Sequence, residues 1–508
     1  MTGSGPDAPT ILAVDGSLNG PRLIASVKRD LLPILRQRLP GYRWFGDKDE
    51  IIAEIAVADA QAVALGGDWL VPMILDIRYQ RGSGARYFVP LAATLSGGSA
   101  QDRLATISCD DGDWTLCEAF ERPSFAGWLL DQLAADAVTP LSKGALQWRS
   151  FDRLKDYLSA ARTGGTRVTA ADQSNTSVIF GDALFLKVFR RLRSGLDPDQ
   201  EIGCFLHDRT SFHRSPKPVG AATYQSGEAT YPIAVAQCFV PSVADGWTYS
   251  LHHLGTGDAE TLSVLIHQLG VRTAELHTAL ASDPTDPSFS PEVITERDAH
   301  SWMTATRHRL VTTATDLMQR RSHVPPEIDR LILDVYDRQS ELLHQTEGFA
   351  ALVGRWKVRV HGDYHLGQVL RTVRDDWLIL DFEGEPSRSL EERRAKTSPL
   401  KDVAGLTRSL AYAHCEHVRR RSETDSSTAV VDSRLTSATR DQFIRGYRSA
   451  LGPALPLIPE ADSDFQRAIR AWELDKALYE VWYELNHRPD WLALPLATLV
   501  DQARNGGL

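Results

Sequence analysis

Apolar runs of strand length dominate the first half of the chain, and apolar positions at helical spacing dominate the second. From Ile51 to about Ser96, "IIAEIAVADA", "WLVPMILDIRY" and "RYFVPLAATL" are separated by Gly-rich turns such as "RGSGA". This is the pattern of a mostly antiparallel sheet. Before it, the first 20 residues are rich in Gly, Pro, Asp and Ser and read as a flexible tail. "PRLIASVKRDLLPILRQRLP" is then helical in part. A helical stretch around "PSFAGWLLDQLAADA" leads to "RVTAADQSNTSVIFGDALFLKVFRRL". That segment reads as strand, polar loop, strand, tight turn at Gly181-Asp182, and strand. "PDQEIGCFLHDRT" follows as a helix, then "AATYQS" and "YPIAVAQCFVP" as strands.

In "TLSVLIHQLGVRTAELHTALAS", Leu262, Leu265, Leu269, Leu276 and Leu280 fall near one helical face. "VPPEIDRLILDVYDRQSELLHQ" predicts a second long helix opened by Pro325 and Pro326, and "DFQRAIRAWELDKALYEVWYELNHRPDW" a third. "RRRSETDSST", residues 419–428, reads as an exposed loop. A sheet-rich half followed by a helix-rich half predicts an α+β protein with distinct lobes. The 508 residues give room for about two to four buried cores.

Charge and cysteine content narrow the function. A net charge of −10 argues against a nucleic-acid partner, which calls for a basic surface. It does not bar a phosphorylated ligand, because a few lysines and a metal neutralise phosphate locally. The five cysteines are scattered, without CxxC spacing, and point to reduced thiols. "MTGSGPDAPT" has no basic start or apolar core of a signal peptide. The longest apolar runs are about half the ~18 residues of a membrane span. The expected location is the cytoplasm, with no membrane partner.

The chemistry sits in two acidic segments. In "VRVHGDYHLGQVL", Asp363 follows an apolar run and Gln368 comes five residues later; in "WLILDFEGEP", Asp381 follows another. A short polar turn at Arg374 to Asp376 separates them. Phosphoryl transfer depends on positioning and charge neutralisation more than on covalent chemistry. It calls for a loop over the phosphates, a strand lysine fixed by a helix glutamate, an aspartate beside the acceptor hydroxyl, and a metal shell of aspartate plus amide oxygen. These parts occur in order. Ser174, Asn175, Thr176 and Ser177 form the candidate loop, Lys187 the strand lysine and Glu201 the helix acid. Asp363 is the candidate base, and Gln368 and Asp381 the candidate metal ligands, with Glu383 placed to support the metal or to pair with an arginine such as Arg388. The glutamine offers the hard amide oxygen that Mg²⁺ takes. His361 and His365, four apart, suggest zinc only on a helix, and Gly362 argues for a loop. No nucleophile elbow, Walker A lysine or dinucleotide fingerprint is present.

Together "HGDYHLGQVL", "ILDFEGEPSRSLEERRAKTSPLKDVAGLTRS" and "WELDKALYEVWYELNHRPDWLALPL" closely resemble maltokinases, in the aminoglycoside-phosphotransferase-like branch of the kinase superfamily. "YRWFGDKDE", "QSNTSVIFGDALFLKVFRRL" and "VRTAELHTALASDP" extend the likeness from about Arg43 to Pro495. The chain is also similar to the kinase module found fused to trehalose synthase. The resemblance implies a bilobal, protein-kinase-like fold with a β-rich N-terminal cap. The expected parts are a tail at 1–20, a cap at 21–118, an ATP-binding lobe at 119–240 and a helical lobe at 241–508. It implies ATP and Mg²⁺ as cofactors, and the conversion of ATP and maltose to ADP and maltose 1-phosphate, feeding α-glucan synthesis beside partners in trehalose metabolism. It also implies Gln237, Phe239 and Val240 at the nucleotide, and His365 at the sugar.

Lys476, Tyr479 and Tyr483 share one face of the tail helix and match the family's sugar motif. His487, Arg488 and Trp491 follow at its end. Asp47 in "YRWFGDKDE" departs from the small residue many relatives carry. An alternative acceptor is another sugar such as glucosamine or an aminoglycoside, for which Glu473, Asp475, Glu480 and Glu484 would supply an acidic rim. A non-catalytic sugar-binding protein is a third reading, opposed by retention of Lys187, Glu201, Asp363, Gln368 and Asp381.

Overall fold

The computed structural model describes residues 10–95, 103–169, 175–386, 388–424, 433–452 and 455–505. The chain forms two compact units, Met1–Glu201 with Pro216–Val240, and Ile202–Ser215 with Pro241–Leu508.

The first unit carries the β-structure expected of the first half. Strands Ile52–Ala60, Met73–Tyr79 and Gly84–Phe88 pair antiparallel, as their alternating apolar runs predict. The segment before them is helical over Gly20–Ser26 and Leu32–Arg38, joined by a wider turn at Val27–Leu31. Pro33 lacks an N–H, which fits an irregular turn just ahead of it. Asp47 acts inside this unit: its Oδ2 accepts both the Tyr79 and Tyr87 hydroxyls at 2.6 Å, and Arg191 pairs with Oδ1 at 2.8 Å.

The unit's larger sheet is built from β1 (Val138–Pro140), β2 (Ala145–Ser150), β3 (Thr166–Thr169), β4 (Asn175–Phe180), β5 (Leu184–Phe189), β6 (Pro218–Ser226) and β7 (Ala229–Cys238). Among the described residues its order is β1-β2-β6-β7-β5-β4-β3, antiparallel throughout. Gly181 (φ 54°) and Asp182 (φ 48°) turn β4 into β5 through the left-handed region, as the tight-turn reading requires. Helix α1 (Pro198–Arg209) opens on Asp197, whose Oδ1 accepts the Gln200 N–H at 3.0 Å.

The second unit is helical around a small sheet. Its elements are β8 (Ser242–Asp245), α2 (Gly246–Thr256), α3 (Ala259–Leu280), α4 (Glu296–Arg320), α5 (Pro326–Asp337), α6 (Gln339–Gln345), β9 (Val369–Thr372), β10 (Trp377–Ile379), α7 (Leu400–Thr424), α8 (Ser433–Ala450), α9 (Asp462–His487) and α10 (Ala493–Asn505). All five leucines read on the α3 stripe are buried. The expected second long helix is two: it breaks at Arg338 (φ −104°, ψ 19°), where Gln339 Nε2 caps the Tyr336 carbonyl at 2.9 Å. No glycine or proline marks that break. Residues 419–424, expected as loop, continue α7, because Arg419 and Arg420 pair back to Glu416 at 2.7 and 2.6 Å. Residues 425–428 lie outside the described part. No described helix is long and apolar enough to cross a membrane.

Candidate active site

On the β-rich unit, Ser177 lies opposite Lys187 in the β4–β5 ladder, and Lys187 opposite Val235 of β7. The two side chains are buried, Ser177 fully and Lys187 at 5% exposure. Asn175, Thr176 and Ser177, expected on a loop, instead begin β4, because the ladder pairs them with Phe189, Val188 and Lys187. Ser174 lies outside the described residues. Gln237, at the end of β7, donates from Nε2 to Asp199 Oδ2 at 3.2 Å. Phe239 N–H bonds the Ala183 carbonyl at 2.9 Å, and Val240 ends the unit. Glu201 sits in the first turn of α1, half-buried, two residues past the more deeply buried Asp199. Asp199 was not singled out from sequence; its burial beside Gln237 comes from a contact 38 residues apart.

The helical unit brings the other set together. Asp363 lies on the loop after Val358 and Val360, and Asp381 two residues past β10. Gly362 (φ 88°) and Gly384 (φ 71°) let these loops meet: a Cβ on Gly362 would sit 3.2 Å from the Gly384 Cα. Gln368 Nε2 donates to Asp381 Oδ2 at 2.8 Å, and its carbonyl accepts the Leu380 N–H at 3.0 Å. Asp381 holds φ 68°, a left-handed conformation that is strained for a non-glycine residue and is typical of functional sites. Lys476 of α9 reaches across, its Nζ 3.3 Å from Asp363 Oδ1 and 3.6 Å from Glu385 Oε1. Burial opposes the charge on Lys476, but Asp363 and Glu385 outweigh it and raise its pKa.

The Asp363 loop is held from below. Asp402 of α7, fully buried, accepts the N–H groups of His361 at 2.7 Å and Gly362 at 2.9 Å. His277 of α3 donates from Nε2 to the same carboxylate at 3.1 Å, and its Nδ1 lies 2.9 Å from the Tyr447 hydroxyl. Burial works to raise the Asp402 pKa; the His277 hydrogen bond and charge, with the loop amides, hold it below the ordinary value. His361 donates from Nε2 to the Leu380 carbonyl at 2.9 Å, tying the two loops. Asp402 and His277 were not read from sequence as site residues, since nothing local marks contacts spanning 41 and 125 positions.

The remaining candidates lie around this cluster. His365 caps its own turn, Nδ1 accepting the Gly367 N–H at 3.0 Å, and burial keeps its pKa below the ordinary histidine value. Glu383 faces Arg393, not Arg388, at 3.9 Å, while Arg388 pairs with Glu385. Tyr479 lies under the Lys476 ammonium, 4.9 Å from ring centroid to Nζ, and stacks on Tyr483 at 6.4 Å. Tyr483 also meets His487 and Arg488, and Arg488 lies over Trp491. The expected acidic rim is absent: Glu473, Asp475, Glu480 and Glu484 are buried and matched by Arg440, Arg309, Arg408 and Arg488. Burying a carboxylate is costly without such a partner.

Gln368 and Asp381 fit a hard cation by chemistry: their donors are an amide and a carboxylate oxygen, and Mg²⁺ takes few protein ligands. Among the described residues no group of three or more His, Cys, Asp and Glu side chains could hold a metal by itself.

This α+β architecture is the kinase-like fold. Three solved structures of glucosamine kinase align over 92–93% of the chain, with TM-scores of 0.59–0.63 at 22–23% identity. They cover 97–99% of those chains, and one holds glucosamine, ADP and inorganic phosphate. In sequence the chain is 28% identical to glucosamine kinase of Streptacidiphilus jiangxiensis over 427 residues, 82% of this chain and 86% of that one. It is 28% identical to glucosamine kinase of Mycolicibacterium smegmatis over 346 residues, 66% of this chain and 79% of that one. No protein-family model matches the chain.

Proposed function

We propose that the protein is an ATP- and Mg²⁺-dependent sugar kinase. The carrying observation is the convergence of Asp363, Gln368 and Asp381 on two facing loops of the helical unit. Asp363 takes the proton of the acceptor hydroxyl as that oxygen attacks phosphorus. Lys476, hydrogen-bonded to Asp363, fixes the carboxylate's orientation. Asp402 and His277 hold the loop from beneath. Gln368 and Asp381 would hold Mg²⁺, which supplies charge neutralisation on the phosphates when bound. Lys187, the segment Asn175–Ser177 and Gln237 are the nucleotide side of the proposal.

Two acceptors divide the support. The named relatives favour glucosamine over maltose. The Lys476–Tyr479–Tyr483 motif favours maltose, and so does the charge beside Asp363: a lysine ammonium already sits at 3.3 Å, where an amino sugar's cation would meet repulsion. The deciding test is a coupled ADP-release screen over maltose, glucose, glucosamine, trehalose and kanamycin, with NMR of the phosphorylated product. Maltose leading in kcat/KM supports the motif, and glucosamine leading supports the relatives. Absence of turnover with every sugar would refute the kinase reading.

A further inference from the structure

The helical unit holds an open cleft beside Gly362, and two of its lining cations pair outside it, Lys396 with Glu292 at 2.7 Å and Arg393 with Glu383 at 3.9 Å. Arg309, Arg388, Arg393, Lys396 and Lys401 line it, against the carboxylates of Glu385, Glu392 and Asp475. The carboxylates are already matched. Arg309 and the Thr306 hydroxyl serve Asp475, the latter at 2.9 Å. Arg388 and Lys476 serve Glu385. Glu392 closes the capping box of its own helix, accepting the Ser389 N–H at 2.8 Å.

Donors are left over. Among the described residues Lys401 makes no ion pair, and burial depresses its pKa while Glu385 opposes. Arg393, 8% exposed, gives Nη1 to the Glu383 carbonyl at 2.9 Å, but its buried Nε has no hydrogen-bond partner among the described residues. The same holds for Nε1 of Trp472, which is 5% exposed. Buried donors without acceptors are costly, and Arg393 Nε and Trp472 Nε1, beside the half-buried Lys401 ammonium, call for a ligand rich in acceptor oxygens. The cleft also has an aromatic wall: Trp302 and Trp472 line it with ring centroids 5.3 Å apart, the kind of surface on which the apolar face of a sugar ring packs.

We propose that this cleft is a binding site for a sugar phosphate, with Lys401, Arg393 and Trp472 donating to the anion and the tryptophan rings meeting the sugar. The cleft adjoins Asp363, and a sugar phosphate is the product class of the proposed kinase, so this deepens that reading; binding needs neither nucleotide nor turnover, so either can fail alone. The test is calorimetric titration of the full chain, without nucleotide or Mg²⁺, using α-D-glucose 1-phosphate, inorganic phosphate and glucose as probes. Glucose 1-phosphate should bind at least about tenfold more tightly than either of the others, and Lys401→Met should weaken it by at least about tenfold, the loss of one charged hydrogen bond. Trp472→Phe keeps an aromatic surface, though a smaller one, and removes Nε1, and should weaken glucose 1-phosphate more than glucose. If neither variant folds, wild-type affinity for glucose 1-phosphate should still fall as salt is raised. Equal binding of glucose and glucose 1-phosphate, or variants that fold and bind unchanged, overturns the site. Inorganic phosphate binding as tightly as glucose 1-phosphate overturns the sugar component.

Discussion

At the residue scale our proposal gives the two aspartates different duties, and substitutions separate them. Asp363→Asn keeps size and shape but removes the proton acceptor. Turnover should fall roughly 10²–10⁴-fold while nucleotide affinity is retained, as measured by steady-state rates beside nucleotide titration. Near wild-type turnover would remove Asp363 from the role. Asp381→Ala deletes the carboxylate beside Gln368 and should abolish Mg²⁺-supported transfer. Gln368→Ala should shift the Mg²⁺ titration less severely, because water replaces a neutral ligand. An unchanged titration would make the amide structural, its 2.8 Å bond to Asp381 serving only to fix the loop. Both proposed roles were read from "HGDYHLGQ" and "LDFEGEP", because acids after apolar runs stand out locally. Lys476 was expected only as a sugar contact; its pairing with Asp363 spans 113 positions and has no local signal.

At the element scale the Asp363 loop is only as rigid as α7 makes it. Asp402 joins α7 to the loop amides and to His277 of α3. Its folded-state pKa lies below the unfolded value, so it contributes stability that is complete above the ordinary carboxylate range. That contribution is lost as pH falls through the depressed folded value. Asp402→Asn should therefore cost about 2–4 kcal/mol near neutrality, from weakened charged hydrogen bonds. The gap to wild type should shrink in acid, which pH-dependent chemical denaturation measures. A gap that stays constant down to acid would mean that the charge is not what holds the loop. Turnover should fall with it, because a misplaced base loses its alignment. The elements themselves were largely readable: the antiparallel pairs at 52–88, the β4–β5 turn and the α3 stripe follow from period and turn chemistry. The break at Arg338 and the run of α7 to Thr424 were not, since one lacks a breaker residue and the other hides under a polar, charged composition.

At the scale of the whole molecule, the order of sheet first and helices second was legible, and the expected 240/241 boundary coincides with one parting of the units, but the passage of Ile202–Ser215 to the second unit was not legible. The first unit holds two separate apolar cores, one of residues between Leu12 and Leu116 and one reaching from Leu70 to Ala236. Leu70, Ile74, Phe88 and Ala92, inside the cap expected at 21–118, join the second of these cores. The parting of the units runs through α1: Glu201 belongs to the first, while Ile202–Ser215 belongs to the second. Local pattern cannot show this, because it depends on what the far half of α1 packs against. Ile202, Phe205, Leu206 and Phe212 join the main helical core, and Phe205 stacks on Phe289 with centroids 3.7 Å apart. A cut at 240/241 would thus strip four apolar side chains from that core. Phe205→Ala in the full chain should cost about 3–5 kcal/mol, by lost transfer energy and a residual cavity. A fragment of 241–508 loses all four and should fail to unfold cooperatively, and it should bind a hydrophobic dye. Thermal scanning and dye fluorescence check both. A fragment that melts in one sharp transition, together with a Phe205→Ala chain as stable as wild type, would show that the helical core closes without α1.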